Sequence, residues 1–210
     1  MDQAQLFPFE TADLLLVLVA TFASAFVSGI AGFGGSFVLA IALTPLIGPR
    51  AVVPTIAVYA FCANLGRVYI YRNSIHWRFA VQFVIASLPG LAIGSWLLKT
   101  LPESGLMVVF GVVLLSAVPM RRLLKRISFK PGAATTATIG FVFGAVSGTA
   151  VGSGMFVIAA LNTFGLHGPM LLGTDATIGI TNAFTRVITF WWLGLLDLRL
   201  AVMGVTMGAV

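Results

Sequence analysis

Residues 28–43 read SGIAGFGGSFVLAIAL, and residues 147–162 read SGTAVGSGMFVIAALN. The second stretch begins 119 residues after the first, and both lie in strongly apolar surroundings. Backbone that leaves the helical conformation at membrane depth is tolerated only where protein buries it or where it lines a watery cavity. Paired interruptions in two halves of a membrane protein are typical of a substrate site. We therefore expect both stretches to form glycine-rich broken helices.

The overall composition is that of an integral membrane protein. Hydrophobic residues make up 59% of the chain and charged residues 9%, and the mean hydropathy is +1.06. No charged residue occurs from Leu14 to Pro49, and Asp175 is the only ionised residue between Pro131 and Thr185. Such runs exceed the roughly 20 residues that span a bilayer. The sequence predicts an all-α, multi-pass membrane protein.

Apolar stretches predict about eight or nine transmembrane or re-entrant helical segments. They lie at about 13–31, 33–47, 51–71, 79–98, 105–120, 133–150, 153–166, 170–192 and from 200 onward. The second and seventh are too short to cover a hydrocarbon layer of about 30 Å comfortably, so each either crosses it thinly or re-enters. Crossing makes the second half inverted relative to the first, whereas re-entry makes the halves parallel. We favour crossing and inversion.

A cluster of basic residues divides the chain. Five of the twelve Lys and Arg residues lie in one short stretch: Arg121, Arg122, Lys125, Arg126 and Lys130. The positive-inside rule places this stretch in the cytoplasm, so the net charge of +6 reads as a topology signal and not as nucleic-acid binding. The predicted division is a tail at 1–12, a first half at 13–120, a basic cytoplasmic loop at 121–132 and a second half at 133–210. The acidic start is unlike a cleavable signal peptide, so we expect the first apolar segment to be retained.

The two halves share an internal similarity. At an offset of 119, residues 28–68 match the second half at twelve positions, where composition alone gives roughly 3. Gly48-Pro49 aligns with Gly168-Pro169 after a one-residue slip, and residues 75–78 align with residues 196–199. The similarity predicts two related repeats. The second copy lacks equivalents of residues 90–120, so we expect a truncated second half that either needs a partner or is inactive alone.

The glycine-rich stretches are the first candidates for a substrate site. Free backbone amides at a half-helix N-terminus attract anions, and nearby hydroxyls add hydrogen bonds. The alternative is that the glycines only let helices pack closely. The candidate substrate-binding residues here are Ser28, Gly32, Gly34, Gly35, Ser36, Ser147, Gly152, Ser153 and Gly154.

Each half also carries an amide and an arginine in an apolar segment. Asn64 precedes Arg67 by three residues and Asn182 precedes Arg186 by four, so each pair shares a helical face. A membrane arginine usually faces a cavity or a partner, although aromatic residues nearby also allow snorkelling to the interface. We predict that all four bind substrate. Asp175 either couples transport to protons or another ion, or neutralises an arginine such as Arg67 across a helix contact.

Enzyme and cofactor motifs are missing from the sequence. GFGGS lacks the lysine of a phosphate-binding loop, and Val151 stands where an intramembrane serine protease would have a glycine before Gly152-Ser153-Gly154. No zinc-ligand spacing occurs, and Cys62 is a single cysteine. We expect no enzymatic activity, no cofactor and no metal.

The sequence resembles the sulfite exporter TauE/SafE family of membrane permeases. The resemblance rests on four stretches: SGIAGFGGSFVLAIALTPLIG from Ser28, TIAVYAFCANLGRVYIYRNSIHW from Thr55, SGTAVGSGMFVIAALNTFGLHGPMLLGTDATIGITNAFTR from Ser147 and LGLLDLR from Leu193. The glycine run is shorter than is common in that family, Asn162 stands where a proline is frequent, and the chain is short.

The resemblance implies a transporter of two related halves in the bacterial inner membrane that moves sulfur-containing anions. The resulting prediction is a secondary transporter of small anions, either sulfur oxyanions or organosulfonates such as sulfite or sulfoacetate. Its partners would be the substrate and the lipid bilayer, with a homo-oligomer as a further option. The alternative is a non-transporting membrane scaffold or a truncated subunit that needs a partner.

Overall fold

The computed structural model describes residues 11–31, 35–126 and 132–209, and the regular structure in these ranges is helical throughout. The all-α prediction is therefore confirmed for this part of the chain. Across the described ranges, eight α-helices and one short 3-10 turn, Arg72–Ser74, follow one another. The helices are α1 Thr11–Ala31, α2 Gly35–Tyr71, α3 Trp77–Thr100, α4 Glu103–Arg126, α5 Ala133–Thr149, α6 Gly154–Thr163, α7 Gly168–Trp192 and α8 Leu198–Gly208.

The second glycine-rich stretch interrupts the helices around it, as expected, whereas residues 32–34 of the first stretch lie outside the described residues. Helix α1 ends at Ala31 and α2 begins at Gly35, while α5 ends at Thr149 and α6 begins at Gly154. In the second interruption Gly152 has φ 95°, a left-handed conformation that glycine adopts without steric cost. Gly32 and Gly34 lie outside the described residues.

Two segments predicted separately, 33–47 and 51–71, correspond to the two arms of α2, which are separate helical stretches divided by non-helical backbone at Gly48. The arms meet at Gly48, which has φ 77° and ψ 157°. Pro49 follows and lacks the N–H that would continue the hydrogen bonding of the first arm. A second Gly-Pro step lies at the start of α7, where Gly168 has φ 58°. The two Gly-Pro pairs, which align between the halves, therefore both lie where the chain leaves the helical path.

Helix α4 is longer than the segment predicted at 105–120. It continues to Arg126, so the first six residues of the predicted loop at 121–132 are helical, which corrects that boundary. The physical reason is that Arg, Leu and Lys are strong helix formers and the stretch contains no Gly or Pro before Pro131. Residues 127–131 lie outside the described ranges.

A seam of small residues joins α3 to α5. A Cβ atom on Gly144 would collide with the Ser87 carbonyl oxygen, so the two backbones touch. Gly148, in the second glycine-rich stretch, also packs in this seam. The contacts rise in step along both helices, which therefore run parallel: Gly140 with Phe83, Gly144 with Ser87 and Gly148 with Leu91. Close approach through small residues is a common way for membrane helices to associate.

The second arm of α2 packs against α7 in the opposite direction. Contacts near the end of α2 meet the start of α7, and contacts near the start of that arm meet the end of α7. The ordered pairs are Arg67 with Asp175, Asn64 with Gly179 and Val53 with Arg186. These two antiparallel helices form the centre of the molecule, and α8 packs along the same arm of α2.

The helices expose many large apolar side chains, although an apolar core is also buried between them. Large apolar side chains are exposed along the helices, including Phe22 and Phe26 of α1, Trp96 of α3, Leu115 of α4 and Trp192 of α7. Polar side chains such as Asp175, Asn182 and Arg186 are buried. Among the described residues, Gly35–Ser74 and Trp77–Thr100 are long and apolar enough to cross a bilayer. A protein whose exterior is apolar and whose polar groups face inward suits a lipid environment.

Candidate functional site

A cavity of about 500 Å³ lies between the second arm of α2 and α7, and both glycine-rich stretches contribute to it. Its size falls within the range typical of small-molecule sites. We call it the central cavity. Its polar lining comprises Ser28, Ser36, Tyr59, Asn64, Arg67, Tyr71, Ser153, Asp175, Asn182 and Arg186.

Each central helix contributes one face to the cavity wall. On α2 the lining residues include Tyr59, Ala63, Arg67 and Ile70, which recur every three or four residues. On α7 the same spacing joins Leu172, Asp175, Gly179, Asn182 and Arg186. This period is that of one face of an α-helix, so the helical register of each segment brings its polar residues to the cavity.

The two glycine-rich stretches meet at the cavity. Ser28 and Ser36 from the first stretch line it together with Gly152, Ser153 and Gly154 from the second. The ring of Phe37, at the start of α2, covers Gly152 so closely that a Cβ there would overlap the ring. Ser153 precedes α6 and makes no side-chain capping hydrogen bond. The first amides of α6 therefore lack a hydroxyl cap from their own N-cap residue.

Arg67 is paired with an acid on the facing helix. Its Nη2 atom lies 3.4 Å from Oδ2 of Asp175, and the side chains are 32% and 11% exposed. The expectation that Asp175 could neutralise Arg67 across a helix contact is confirmed. The antiparallel crossing brings the end of α2 to the start of α7, which is why residues so distant in sequence meet.

Arg186 has no comparable partner among the described residues. Its side chain is buried at 7% exposure, and Nη2 donates a 3.3 Å hydrogen bond to the Val53 carbonyl. The Nε atom is buried without a hydrogen-bond partner. The guanidinium also lies 5.5 Å from the centre of the Phe190 ring, a weak cation-π contact. Within the described part of the chain, a buried guanidinium therefore lines the cavity without a salt bridge to a carboxylate.

Asn182 is held in place by Ser147, the first residue of the second glycine-rich stretch, near the end of α5. Ser147 Oγ of α5 donates a 2.5 Å hydrogen bond to Asn182 Oδ1. Asn182 Nδ2 is buried and without a partner among the described residues. Asn64 differs, because its Nδ2 donates to the Ala60 carbonyl of its own helix at 2.8 Å. The second half thus supplies two donors with unused hydrogen-bonding capacity, on Asn182 and Arg186.

Most of the sequence-predicted residues come together here. Ten of them line the central cavity: Ser28, Ser36, Asn64, Arg67, Gly152, Ser153, Gly154, Asp175, Asn182 and Arg186. Gly35 and Ser147 are buried and are not lining residues. Gly35 packs against Ser24 and Ser28 of α1, and Ser147 acts through Asn182. The predicted binding roles of all these residues remain predictions.

Sequence reasoning missed part of the wall. Tyr59 lines the cavity, and its hydroxyl lies 3.2 Å from Ser24 Oγ. Gly179 of α7 lies against the Asn64 amide, where a side chain would be crowded. Both residues could have been found by extending the helical period backward from Arg67 and from Arg186, since they share those faces.

The charges at the site favour an anion. With all three ionised, Arg67, Arg186 and Asp175 sum to one excess positive charge in a largely buried space. Hydroxyls, amides and guanidinium groups are the donors that carboxylate, sulfonate and related oxyanions require. The arrangement can therefore bind and partly desolvate a small oxyanion.

Comparison with known proteins gives a consistent result. The model of the sulfite exporter TauE/SafE family matches residues 16–210, which include the whole central cavity. No curated protein and no solved structure matched the chain. Since the family match covers nearly the entire sequence, the chain belongs to the sulfite exporter TauE/SafE family of membrane transporters.

Proposed function

We propose that this protein is a secondary transporter of small anions, specifically sulfur oxyanions or organosulfonates such as sulfite or sulfoacetate, and that the central cavity is its substrate site. The observation that carries the proposal is the environment of Arg186. Its guanidinium is buried at the cavity wall and forms no salt bridge with a carboxylate of the described residues. Membership of a sulfite exporter family supports the choice of substrate class.

The energetics of Arg186 favour a bound anion. A charge held away from water costs several kcal/mol unless it is paired, and an arginine in a membrane segment usually faces a partner or a cavity. Only the Val53 carbonyl and the Phe190 ring offset that cost in the described structure. An oxyanion beside Arg186 and Asn182 would supply the missing charge and accept hydrogen bonds.

We further propose that the protein consists of two inverted repeats, with the first half at 13–120 and the second half at 133–210. The antiparallel packing of α2 against α7 supports inversion over parallel halves, because these helices occupy equivalent positions in the sequence alignment. Capping supports the duplication. His76 Nδ1 accepts from Phe79 N at 3.2 Å, and the aligned Asp197 accepts from Leu200 N at 2.8 Å.

The proposed location is the bacterial inner membrane, crossed several times. The exposed apolar surface and the family support this location, and the positive-inside rule puts the basic stretch around residues 121–130 in the cytoplasm. Asp175 is proposed as the group that couples transport to protons, since it is an acid at the cavity wall.

Uptake of radiolabelled sulfite into proteoliposomes tests the proposal. Wild-type protein should accumulate sulfite above empty liposomes, and Arg67→Ala and Arg186→Ala should each reduce the flux. Arg199→Ala is the matched control, because Arg199 is exposed at the start of α8 and does not line the cavity. Wild-type flux in both cavity variants would exclude the arginines from the mechanism.

A further inference from the structure

Arg67 already contacts a negatively charged group of the protein itself, the carboxylate of Asp175. Asp175 Oδ2 lies 3.4 Å from Arg67 Nη2, and both side chains line the central cavity. We propose that the ionised Asp175 carboxylate occupies the position at Arg67 that a substrate anion would otherwise fill. A doubly charged anion therefore binds the cavity strongly only when Asp175 has taken up a proton. This inference rests on the proposed function and names the charge class that the site selects.

The sum of charges leads to this selectivity. With Asp175 ionised, the two arginines leave one positive charge to be balanced, which matches a singly charged anion at Arg186. With Asp175 protonated, two positive charges remain, which matches a doubly charged anion. Because charges interact more strongly in a poorly solvated site than in water, a mismatch of one charge is costly here.

The geometry of the Arg67 pair suits displacement. A charge-assisted N–H···O hydrogen bond is usually about 2.7–2.9 Å long, so the 3.4 Å contact is loose. Arg67 is also one-third exposed, and ion pairs with solvent access contribute little net stability. Arg186, in contrast, is fixed by the Val53 carbonyl and stays available to the substrate. The two arginines therefore have different roles.

Other ionisable groups lie on the elements packed against this end of α7. His76 is an alternative proton carrier, because its backbone N–H donates to Thr174 Oγ1 at 3.0 Å, beside Asp175 in sequence. His76→Asn keeps a capping side chain on α3 and removes the imidazole. The charged and titratable groups of these elements at this end of α7 are Arg67, Tyr69 and Tyr71 of α2, Arg72 of the 3-10 turn, and His76 and Arg78 at the start of α3.

The experiment is equilibrium binding of sulfate, a dianion, and methanesulfonate, a monoanion, to the full chain in detergent. Binding is measured at mildly acidic and mildly alkaline pH. Wild-type protein should bind sulfate more tightly at acidic pH, since binding is linked to proton uptake, while methanesulfonate affinity rises by a smaller factor, because its single charge gains less from the loss of the Asp175 charge. Asp175→Asn should bind sulfate at alkaline pH more tightly by on the order of tenfold to a hundredfold and lose the pH dependence. His76→Asn should behave as wild type.

Unchanged sulfate affinity in Asp175→Asn would overturn the inference, as would loss of the pH dependence in His76→Asn. If Asp175→Asn does not fold, Arg67→Gln serves, because it removes the position for which anion and carboxylate compete. Sulfate binding that keeps its pH dependence in Arg67→Gln then overturns the inference. If methanesulfonate binding depends on Arg186 but Asp175→Asn has no effect on sulfate binding, the proposed role of Asp175 is refuted and the proposed function is not. Failure of both anions to bind wild type contradicts the proposed function as well.

Discussion

Ser147 of α5 donates a 2.5 Å hydrogen bond to Oδ1 of Asn182 on α7, and both residues are buried. The bond connects the start of the second glycine-rich stretch to the wall of the central cavity. It fixes the Asn182 side chain while leaving its Nδ2 atom without a partner among the described residues. The binding geometry in the second half therefore depends on a residue that does not itself line the cavity.

Ser147→Ala should destabilise the fold and weaken anion binding together. Loss of one partner leaves a buried acceptor unsatisfied, which costs about 1–3 kcal/mol, and Asn182 loses its fixed orientation. Thermal unfolding in detergent and sulfite binding measure the two effects. Ser116→Ala is a suitable control, because Ser116 bonds only to the Val113 carbonyl of its own helix in the described structure. Equal effects of both substitutions would contradict the role of Ser147.

Sequence reasoning identified much of the site because its residues repeat at matching positions. Arg67 and Arg186 align at the same offset as the glycine-rich stretches, and helical spacing placed each amide near its arginine. It could not decide which arginine Asp175 neutralises, since that depends on the antiparallel crossing of α2 and α7. Similarly, it could not show that Gly148 packs against the backbone of α3. Long-range packing decides such cases, and a single sequence does not encode it locally.

Gly144→Ala tests the seam between α3 and α5. A methyl group at Gly144 would collide with the Ser87 carbonyl, and overpacking of this kind costs roughly 1–3 kcal/mol. Gly111→Ala on α4 is the matched control, because a Cβ there meets nothing within 4 Å. Alanine favours the helical conformation over glycine by about 0.5–1 kcal/mol. We therefore expect a lower melting temperature for Gly144→Ala and an equal or higher one for Gly111→Ala.

Substitutions in the second glycine-rich stretch distinguish a transporter from a non-transporting scaffold. A Cβ on Gly154 meets nothing within 4 Å, and Gly154 lines the cavity. Gly154→Ala should fold normally and weaken sulfite binding on the order of tenfold, equivalent to about 1.4 kcal/mol. Gly152→Ala should instead destabilise the fold, because Gly152 has φ 95° and the Phe37 ring occupies the space of its side chain. Lower stability of Gly154→Ala with unchanged anion binding would support the scaffold.

The most direct test of the central claim is the melting temperature of Arg186→Gln with and without sulfite. Replacing a buried charge that lacks a carboxylate partner should leave the anion-free protein as stable as wild type or more stable. Saturating sulfite should stabilise wild type by about 2.7 kcal/mol at a hundredfold excess over Kd, and the exposed control Arg199→Gln should match it. The account predicts no sulfite-dependent shift in Arg186→Gln. A shift equal to that of wild type would show that the anion does not bind at Arg186 and would contradict the account.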